Sequence, residues 1–550
     1  MKKVFSIYKQ ILYEVDNLYK NCINRNSSVG KINKLFLLLT CITLQVFVYG
    51  QSKTGSWGDQ GNGTYINPVL NADYSDPDAI RVGEKYYMVC SEFHFMGIPV
   101  LESEDMVNWK IVGKVYDNID FPGYSTNEQY GKGSWAPTIR FHNNKFWVYF
   151  CTPGEGLFMS LSEKPEGPWE PLVLVKGIPG WEDPCPFWDD NGTAYLGHSK
   201  VGAGPIIIHK LSADGKQLLD DGVTVYTGPV AEGTKIHKIN GYYYLSIPEG
   251  GVGEGWQTIL RSKNIFGPYE KKVVLEKGST KINGPHQGSL VDTPQGEWWF
   301  YHFQENGAMG RVVHLQPVFW QNDWPVIGVD IDRNGIGEPV YVWKKPDISG
   351  NHAISAPQTD DNFSTTQLGL QWQWNHNPDN ASWSLTEKAG SLNLKALKAE
   401  NFLKARNTIT QKVMGTTGEA VTELDFNSIA EGQKAGLCNI GGKNNSLVGV
   451  KMQDGQIYIF FEKNKTISGE KIIKAKKIYL KLQLDIINNK NQFFYSLDNK
   501  TFTPVGENFT TSAGNWKGTR IGLFSYNELD NAGTASFNWF TYNYDGPKEM

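Results

Sequence analysis

The chain has 550 residues, of which 13% are aromatic, with 58 glycines and a net charge of −4. This length exceeds one ordinary hydrophobic core, so two domains are predicted. Residues 1–50 hold seven of the 53 Lys and Arg but only two of the 57 Asp and Glu, which leaves the rest of the chain at about −9. That negative charge argues against nucleic acid and anionic membranes as partners.

The first predicted element is a targeting segment over residues 1–50. Lys31 and Lys34 precede the apolar run LFLLLTCITLQVFVYG, and a polar stretch begins at Gln51. This order is typical of a signal peptide, here with an unusual N-terminal extension. A membrane anchor is the alternative, although the run is short for a bilayer span. We therefore expect a secreted or periplasmic protein whose mature chain is not inserted in a membrane.

Five similar stretches then indicate a repeat architecture. Each combines a small or ionisable start, a short alternating apolar run, a turn rich in Gly, Asn or Asp, and an aromatic-rich strand. The five starts are Asp76, Ala136, Asp183, Glu232 and His286. They lie roughly 47 to 60 residues apart, which is the period of a propeller blade. We predict a five-bladed β-propeller over residues 60–343, in which the five starts face one another across the central axis.

The composition changes after the last repeat. Residues 344–361 are polar, contain Pro, Gly and Ser, and read as a linker. Residues 362–546 contain short alternating strands separated by tight turns, which indicate a β-sandwich. The whole chain is therefore predicted to be all-β with little helix.

The acidic starts of three repeats favour an active site. Cleavage of a glycosidic bond needs one protonated carboxyl group to donate to the leaving oxygen and one ionised carboxylate to activate water or attack the sugar. Crowded carboxylates also raise the pKa of at least one of them. A single Asp-Pro dipeptide is more often a structural turn, but Asp76, Asp183 and Glu232 in one register favour carbohydrate hydrolysis.

The blade motifs resemble those of glycoside hydrolase family 43. The resemblance rests on SDPDAIRVGEKYYMV, SWAPTIRFHNNKFWVYF, WEDPCPFWDDNGTAYL, AEGTKIHKINGYYYL and HQGSLVDTPQGEWWFYHF, within about Asn67 to Val342. The second domain resembles the concanavalin-like sandwich of the family's β-xylosidase and α-L-arabinofuranosidase branch. This resemblance implies an exo-acting, inverting glycosidase that removes terminal β-D-xylosyl or α-L-arabinofuranosyl residues from xylan- or arabinan-type plant polysaccharide fragments.

The resemblance also implies roles for particular residues. Asp76 matches the general base, Asp183 the acid that orients the general acid and tunes its pKa, and Glu232 the general acid. Five further residues are candidates for binding the sugar: Phe93, His94, Trp135, His286 and Arg311. Trp135 is either a sugar platform or a core residue, and Arg311 either contacts substrate and acids or forms a surface ion pair. Glu92 adds an acid near the predicted pocket edge.

His286 has two functional interpretations. It either hydrogen-bonds near Asp76 or helps to bind a cation on the propeller axis. Some members of the family carry calcium through water near such a histidine, so a structural calcium ion near the axis is an expectation of the resemblance. Calcium prefers oxygen ligands, and no cofactor is required for the reaction itself.

Polar and aromatic residues of the second domain suggest either carbohydrate contact or packing against the propeller: Trp372, Trp374, Asn375, His376 and Trp383. The expected partners are plant cell-wall oligosaccharides. Two alternatives remain at this point. A β-fructosidase-like enzyme would carry other motifs than SDPDAI, WEDPCP and AEGTK, and a non-catalytic carbohydrate-binding protein would not need all three acids.

Overall fold

The structure is a computed structural model that describes residues 55–93 and 96–547. The predicted signal peptide and His94 therefore lie outside the described residues. Within the described ranges the fold is all-β, and the only helical elements are two 3₁₀ turns, Gly307–Met309 and Phe402–Lys404. The same ranges contain no helix that is long and apolar enough to cross a membrane.

Five four-stranded antiparallel sheets form the blades of a propeller, as predicted. Two short strands come first: β1 (Gly58–Asp59) and β2 (Thr64–Ile66). Blade 1 contains β3 (Asp78–Val82), β4 (Lys85–Val89), β5 (Pro99–Ser103) and β6 (Trp109–Lys114). Blade 2 contains β7 (Trp135–His142), β8 (Lys145–Thr152), β9 (Gly156–Ser162) and β10 (Val173–Lys176).

Blades 3 to 5 repeat this arrangement. Blade 3 contains β11 (Trp181–Trp188), β12 (Ala194–Lys200), β13 (Ile206–Leu211) and β14 (Val223–Tyr226). Blade 4 contains β15 (Lys235–Ile239), β16 (Tyr242–Glu249), β17 (Trp256–Ser262) and β18 (Glu270–Leu275). Blade 5 contains β19 (His286–Asp292), β20 (Trp298–Glu305), β21 (Arg311–Gln321) and β22 (Trp324–Ile327).

Each blade is a meander of four consecutive strands, so no blade borrows a strand from elsewhere in the chain. The second strand of each blade is covered on both faces, because a blade lies between two others. Its side chains are correspondingly apolar, and Phe150, Leu245 and Phe300 are fully buried. This burial explains the aromatic-rich segment of every repeat. After blade 5, β23 (Val342–Lys344) pairs with β2 and brings the end of the propeller beside its beginning.

Hydrogen bonds between the inner strands define the register of the blades. Asp78 accepts from the N–H of Ile139 at 2.8 Å, and Ser289 accepts from the N–H of Ala79 at 2.8 Å, which closes the ring from blade 5 to blade 1. The residues equivalent to Asp78 in blades 1 to 5 are Asp78, Thr138, Cys185, Lys235 and Ser289. Two positions earlier, the backbone turns with a positive φ in every blade: Asp76, Ala136, Asp183, Gly233 and Gln287.

This register corrects the sequence alignment by one residue in blades 4 and 5. Gly233 and Gln287, not Glu232 and His286, are equivalent to Asp76 and Asp183. Glu232 and His286 instead share the preceding position with Ser75, Trp135 and Glu182. The prediction that all five starts are equivalent was therefore wrong for these two. The residue with positive φ defines the register of each blade. The spacing of the aromatic residues does not identify that residue, because the turns of the repeats differ in length.

The remaining strands build the second domain: β24 (Gln373–Trp374), β25 (Trp383–Ser384), β26 (Leu392–Lys395), β27 (Leu397–Lys398), β28 (Thr408–Lys412), β29 (Thr417–Ser428), β30 (Gln433–Ile440), β31 (Asn445–Gln453), β32 (Gln456–Lys463), β33 (Thr466–Ile472), β34 (Lys477–Asp485), β35 (Asn491–Ser496), β36 (Thr503–Phe509), β37 (Arg520–Asn527) and β38 (Thr534–Tyr544). One sheet has the order β24-β28-β37-β30-β31-β32-β33, with β27 also on β37, and the other has the order β25-β26-β38-β29-β34-β35-β36. Two such sheets enclosing buried apolar side chains form the predicted β-sandwich.

Buried charges join the propeller to the sandwich. The carboxylate of Glu92 lies 2.6 Å from the Lys412 ammonium and 3.7 Å from the Arg520 guanidinium. Asp73 accepts hydrogen bonds of 2.9 Å from the backbone N–H groups of both Arg311 and Gly518. Glu92 therefore belongs to the domain interface rather than to the pocket edge, which corrects the prediction for this residue.

The polar aromatic residues near the start of the sandwich also serve packing. Trp372 and Trp374 are buried, and the indole N–H of Trp372 donates to Asp361 at 3.0 Å. The carbonyl of Trp374 accepts from the N–H of Met96 in the propeller, and its ring lies 5.3 Å from that of Trp383. Of the two interpretations of this group, interface packing is the one that the structure supports.

Candidate active site

A pocket of about 400 Å³ lies where the five inner strands of the propeller begin. All five blades contribute to its wall, and the sandwich contributes one residue, Trp516. Three of the lining side chains are the acids singled out from the sequence: Asp76, Asp183 and Glu232. The pocket therefore gathers ionisable groups that are separated by up to 156 positions in the chain.

Asp76 is held by a set of hydrogen-bond donors. Its Oδ2 accepts from the hydroxyl groups of Ser91 at 2.5 Å and Ser75 at 2.9 Å. Its Oδ1 lies 3.4 Å from Nη1 of Arg311, which also donates to Ser75 at 3.1 Å. These contacts fix the orientation of the carboxylate at the bottom of the pocket.

Asp183 organises the backbone next to Glu232. Its Oδ2 accepts from the N–H of Gly233 at 2.6 Å, from Nε2 of Gln287 at 3.1 Å and from Oγ of Ser199 at 3.4 Å. Burial, together with the neighbouring charges of Glu232 and Asp76, raises the pKa of Asp183 to about 7. Asp183 therefore both anchors the segment that carries Glu232 and is sensitive to the charge in the pocket.

Glu232 is paired with His286. The two side chains approach to 2.5 Å between Oε1 and Nε2, so the histidine is a partner of Glu232 and not of Asp76, and the prediction of a bond near Asp76 was wrong. Register explains this difference, because Glu232 and His286 occupy equivalent positions of adjacent blades. The other ring nitrogen, Nδ1, is buried and has no hydrogen-bond partner among the described residues. A water molecule that coordinates a cation would fit here as the hydrogen-bond partner of this nitrogen. The structural calcium ion stays a prediction.

Three of the predicted sugar-binding residues lie together at the pocket. The rings of Phe93 and Trp135 meet edge to face at 5.7 Å. The Arg311 guanidinium lies 5.6 Å from the ring of Phe93 and contacts Asp76 as described above. This arrangement puts two aromatic surfaces and one cation around the acids, whereas His94 lies outside the described residues.

Sequence reasoning missed Trp516, which reaches the pocket from the sandwich. Its ring is 6.2 Å from that of Trp135 and 5.6 Å from the Arg311 guanidinium, and it is 53% exposed. Asp73 and the carbonyl of Ala308 hold the segment that follows it through the N–H groups of Gly518 and Thr519. The sequence shows here only an aromatic residue inside the turn GNWKG, 284 positions after Glu232.

Glu182 is the second residue that sequence reasoning missed. One carboxylate oxygen of Glu182, one of Asp183 and one of Glu232 lie within 4.8 Å of one another. Oε1 of Glu182 accepts from the N–H of Ala203 at 3.1 Å. Burial and the charges of Asp183 and Glu232 raise the pKa of Glu182 to about 9. The signal that could have revealed this residue is its position before Asp183, which matches Trp135 in blade 2.

The arrangement is suited to proton transfer. Three carboxylates at this spacing could hold a cation, yet each one already has a hydrogen-bond partner in the protein: the N–H of Ala203, the N–H of Gly233 and the ring of His286. Asp76 lies outside this cluster. It precedes blade 1, whereas Glu232 precedes blade 4, and these blades are not neighbours in the ring. One acid can therefore donate a proton on one side of a bound molecule while another accepts a proton on the opposite side.

Comparison with known proteins agrees with this chemistry. The family model for glycosyl hydrolases family 43 matches residues 65–325, and the model for the β-xylosidase C-terminal concanavalin A-like domain matches residues 360–543. A putative β-xylosidase of Xylanibacter ruminicola is 54% identical over 86% of this chain and 88% of its own length. A β-xylosidase of Formosa agariphila is 40% identical over 90% and 93%. A family 43 protein from Bacillus licheniformis, of solved structure, superposes with a TM-score of 0.78 at 29% identity and covers 87% of this chain and 99% of its own.

Proposed function

Because the chain belongs to glycoside hydrolase family 43 and is a glycosidase, we propose that it removes terminal β-D-xylosyl residues from xylan-type fragments of plant polysaccharide. The names of the two relatives above support xylose as the sugar. The small pocket, walled by five blades and capped by Trp516, supports an exo-acting enzyme that takes one terminal sugar. Membership in the family sets aside both the non-catalytic and the β-fructosidase-like alternatives.

The proposed roles follow from the geometry. Asp76 activates a water molecule that attacks the anomeric carbon, and Glu232 donates a proton to the glycosidic oxygen. Inversion of configuration belongs to this proposal, because water attacks directly from the side of Asp76 while Glu232 protonates the leaving oxygen. Asp183 positions Glu232 through the N–H of Gly233. The observation that carries these roles is that Asp76 and Glu232 face the same pocket from non-adjacent blades.

A terminal α-L-arabinofuranosyl group is the second candidate substrate, because xylose and arabinofuranose differ only in ring form and in a few hydroxyl positions. Export of the protein also belongs to the proposal. It is supported by the apolar run at residues 35–50, which follows Lys31 and Lys34 and precedes a polar stretch.

The substrate proposal is tested with two chromogenic substrates. We expect nitrophenyl β-D-xyloside to be hydrolysed with a kcat/KM at least about tenfold above that of nitrophenyl α-L-arabinofuranoside, since a misplaced hydroxyl leaves polar groups of the pocket unpaired. Steady-state rates for both substrates with one enzyme preparation provide the measurement. A preference for the arabinofuranoside would reverse the sugar assignment, and no turnover of either substrate would refute the proposed function.

Replacement of Trp516 by Ala tests whether the sandwich takes part in substrate binding. We expect kcat/KM for xylobiose to fall by about tenfold, because an aromatic contact contributes on the order of 1 kcal/mol beyond its buried area. The midpoint of thermal unfolding should change little, since the side chain is half exposed. Leu529→Ala is the matched control, because Leu529 is 56% exposed in the same domain and does not line the pocket. Equal kinetics for Trp516→Ala and the wild-type enzyme would restrict the sandwich to a structural role.

A further inference from the structure

We propose that Glu182 is a sugar-binding residue that keeps its proton at neutral pH and donates a hydrogen bond from Oε2 to a hydroxyl group of the terminal sugar. The inference rests on the proposed function and adds a specificity-determining residue to the same pocket. It assigns a role to the one pocket carboxyl group that the reaction described above does not use.

The register of the blades directs Glu182 into the pocket. It occupies the position shared with Trp135, Glu232 and His286, immediately before the residue with positive φ. Glu182 lines the same pocket as Asp76 and Glu232. A carboxylate oxygen of Glu182 lies within 4.8 Å of one of Glu232, so a sugar bound against Glu232 is within reach of Glu182.

The hydrogen bonds of Glu182 leave one oxygen for a ligand. Oε1 accepts from the N–H of Ala203 at 3.1 Å, and this bond also holds the loop that carries Val201 at the pocket wall. No hydrogen bond to Oε2 is formed by the described residues. This oxygen is not sealed in the interior, and Glu182 lines the pocket, so Oε2 is accessible to a ligand there.

The surroundings of Glu182 favour the neutral carboxylic acid. The side chain is 4% exposed, and no Lys or Arg within the described ranges forms an ion pair with it. Its carboxyl group lies within 4.8 Å of those of Asp183 and Glu232, so ionisation of Glu182 would place a desolvated negative charge beside any charge that these two groups carry. These effects raise its pKa to about 9. A neutral carboxyl group can donate a hydrogen bond, which a carboxylate cannot do.

The competitive inhibition constant of D-xylose measures this role directly. For the wild-type enzyme we expect the constant to rise by about tenfold between pH 8 and pH 10, as a carboxyl group with a pKa of about 9 loses its proton. For Glu182→Gln we expect a flat profile and a constant within about threefold of wild type at pH 7, because the amide retains an N–H donor for the sugar and an oxygen for Ala203. For Glu182→Ala we expect inhibition to weaken by about tenfold at pH 7, the loss of one hydrogen bond.

Glu163→Gln is the control for a general effect of charge, because Glu163 is exposed on blade 2 and does not line the pocket; its profile should follow wild type. A flat wild-type profile, or a Glu182→Gln enzyme as weak as Glu182→Ala, would overturn the inference while hydrolysis of the xyloside still upheld the proposed function. If Glu182→Ala fails to fold, the comparison of wild type with Glu182→Gln decides the question alone.

Discussion

Replacing Asp76 by Asn is expected to lower kcat for both xylobiose and nitrophenyl β-D-xyloside by about 10³-fold or more. The variant removes the proposed base for the attacking water, and general acid–base catalysis contributes about 10²–10⁴ in rate. The loss should be similar for the two substrates, because activation of water does not depend on the leaving group. The amide can still accept from Ser91 and Ser75, so we expect the fold and the KM to be largely retained.

Asp190→Asn is the matched control for this substitution. Asp190 is an exposed aspartate in the hairpin turn of blade 3, and its side chain is 85% exposed. Its kinetics should equal those of wild type. Turnover of the Asp76→Asn enzyme within tenfold of wild type would remove Asp76 from the role of base. For the wild-type enzyme, NMR of the xylose first released distinguishes a base from a nucleophile. We expect α-xylose if water attacks the anomeric carbon directly, whereas β-xylose would make Asp76 a nucleophile.

Replacing Glu232 by Gln is expected to produce a loss that depends on the leaving group. For xylobiose, kcat should fall by about 10³-fold or more, since a sugar alkoxide is a poor leaving group without a proton. For nitrophenyl β-D-xyloside the loss should be smaller by about tenfold or more, because nitrophenolate leaves with little protonation. His286 can still donate to Oε1 of the glutamine, so the side chain should keep its position.

The ratio of the two losses is the informative measurement. A variant at Asp76 should lower both rates together, and a variant at Glu232 should lower them unequally. If Glu232→Gln lowers both rates by the same factor, Glu232 is not the proton donor. Calorimetry should give a dissociation constant of xylobiose from the Glu232→Gln enzyme that is close to the wild-type KM. This result would confirm that the variant loses the chemical step rather than substrate binding.

The two domains depend on each other at the pocket. Asp73 accepts hydrogen bonds from the backbone N–H groups of Arg311 in blade 5 and Gly518 in the sandwich, so one carboxylate holds the backbone at Arg311 and beside Trp516. Glu92 supports the same interface through Lys412. The sandwich is therefore a part of the pocket wall rather than an independent attachment.

Much of the fold was predictable from the sequence because a propeller repeats itself. Each blade carries its own turn, its own aromatic strand and its own start, and these local signals recur at a regular spacing. The same repetition placed Asp76, Asp183 and Glu232 at one end of the axis without knowledge of any contact. The one-residue error at Glu232 and His286 arose because Gly233 and Gln287 adopt the positive φ that Asp76 and Asp183 have in blades 1 and 3, and the sequence pattern does not show φ.

The sequence by itself thus determined the two β domains, the number of blades and the acids that meet in the pocket, since these depend on local patterns and on their regular recurrence along the chain. Only the tertiary structure decided that His286 pairs with Glu232, that Glu92 lies in the domain interface, and that Trp516 and Glu182 complete the pocket. The physical reason is that these outcomes depend on backbone conformation and on contacts between distant segments. Trp516 and Trp135 are 381 positions apart, and a raised pKa such as that of Glu182 arises only when folding buries several carboxyl groups together.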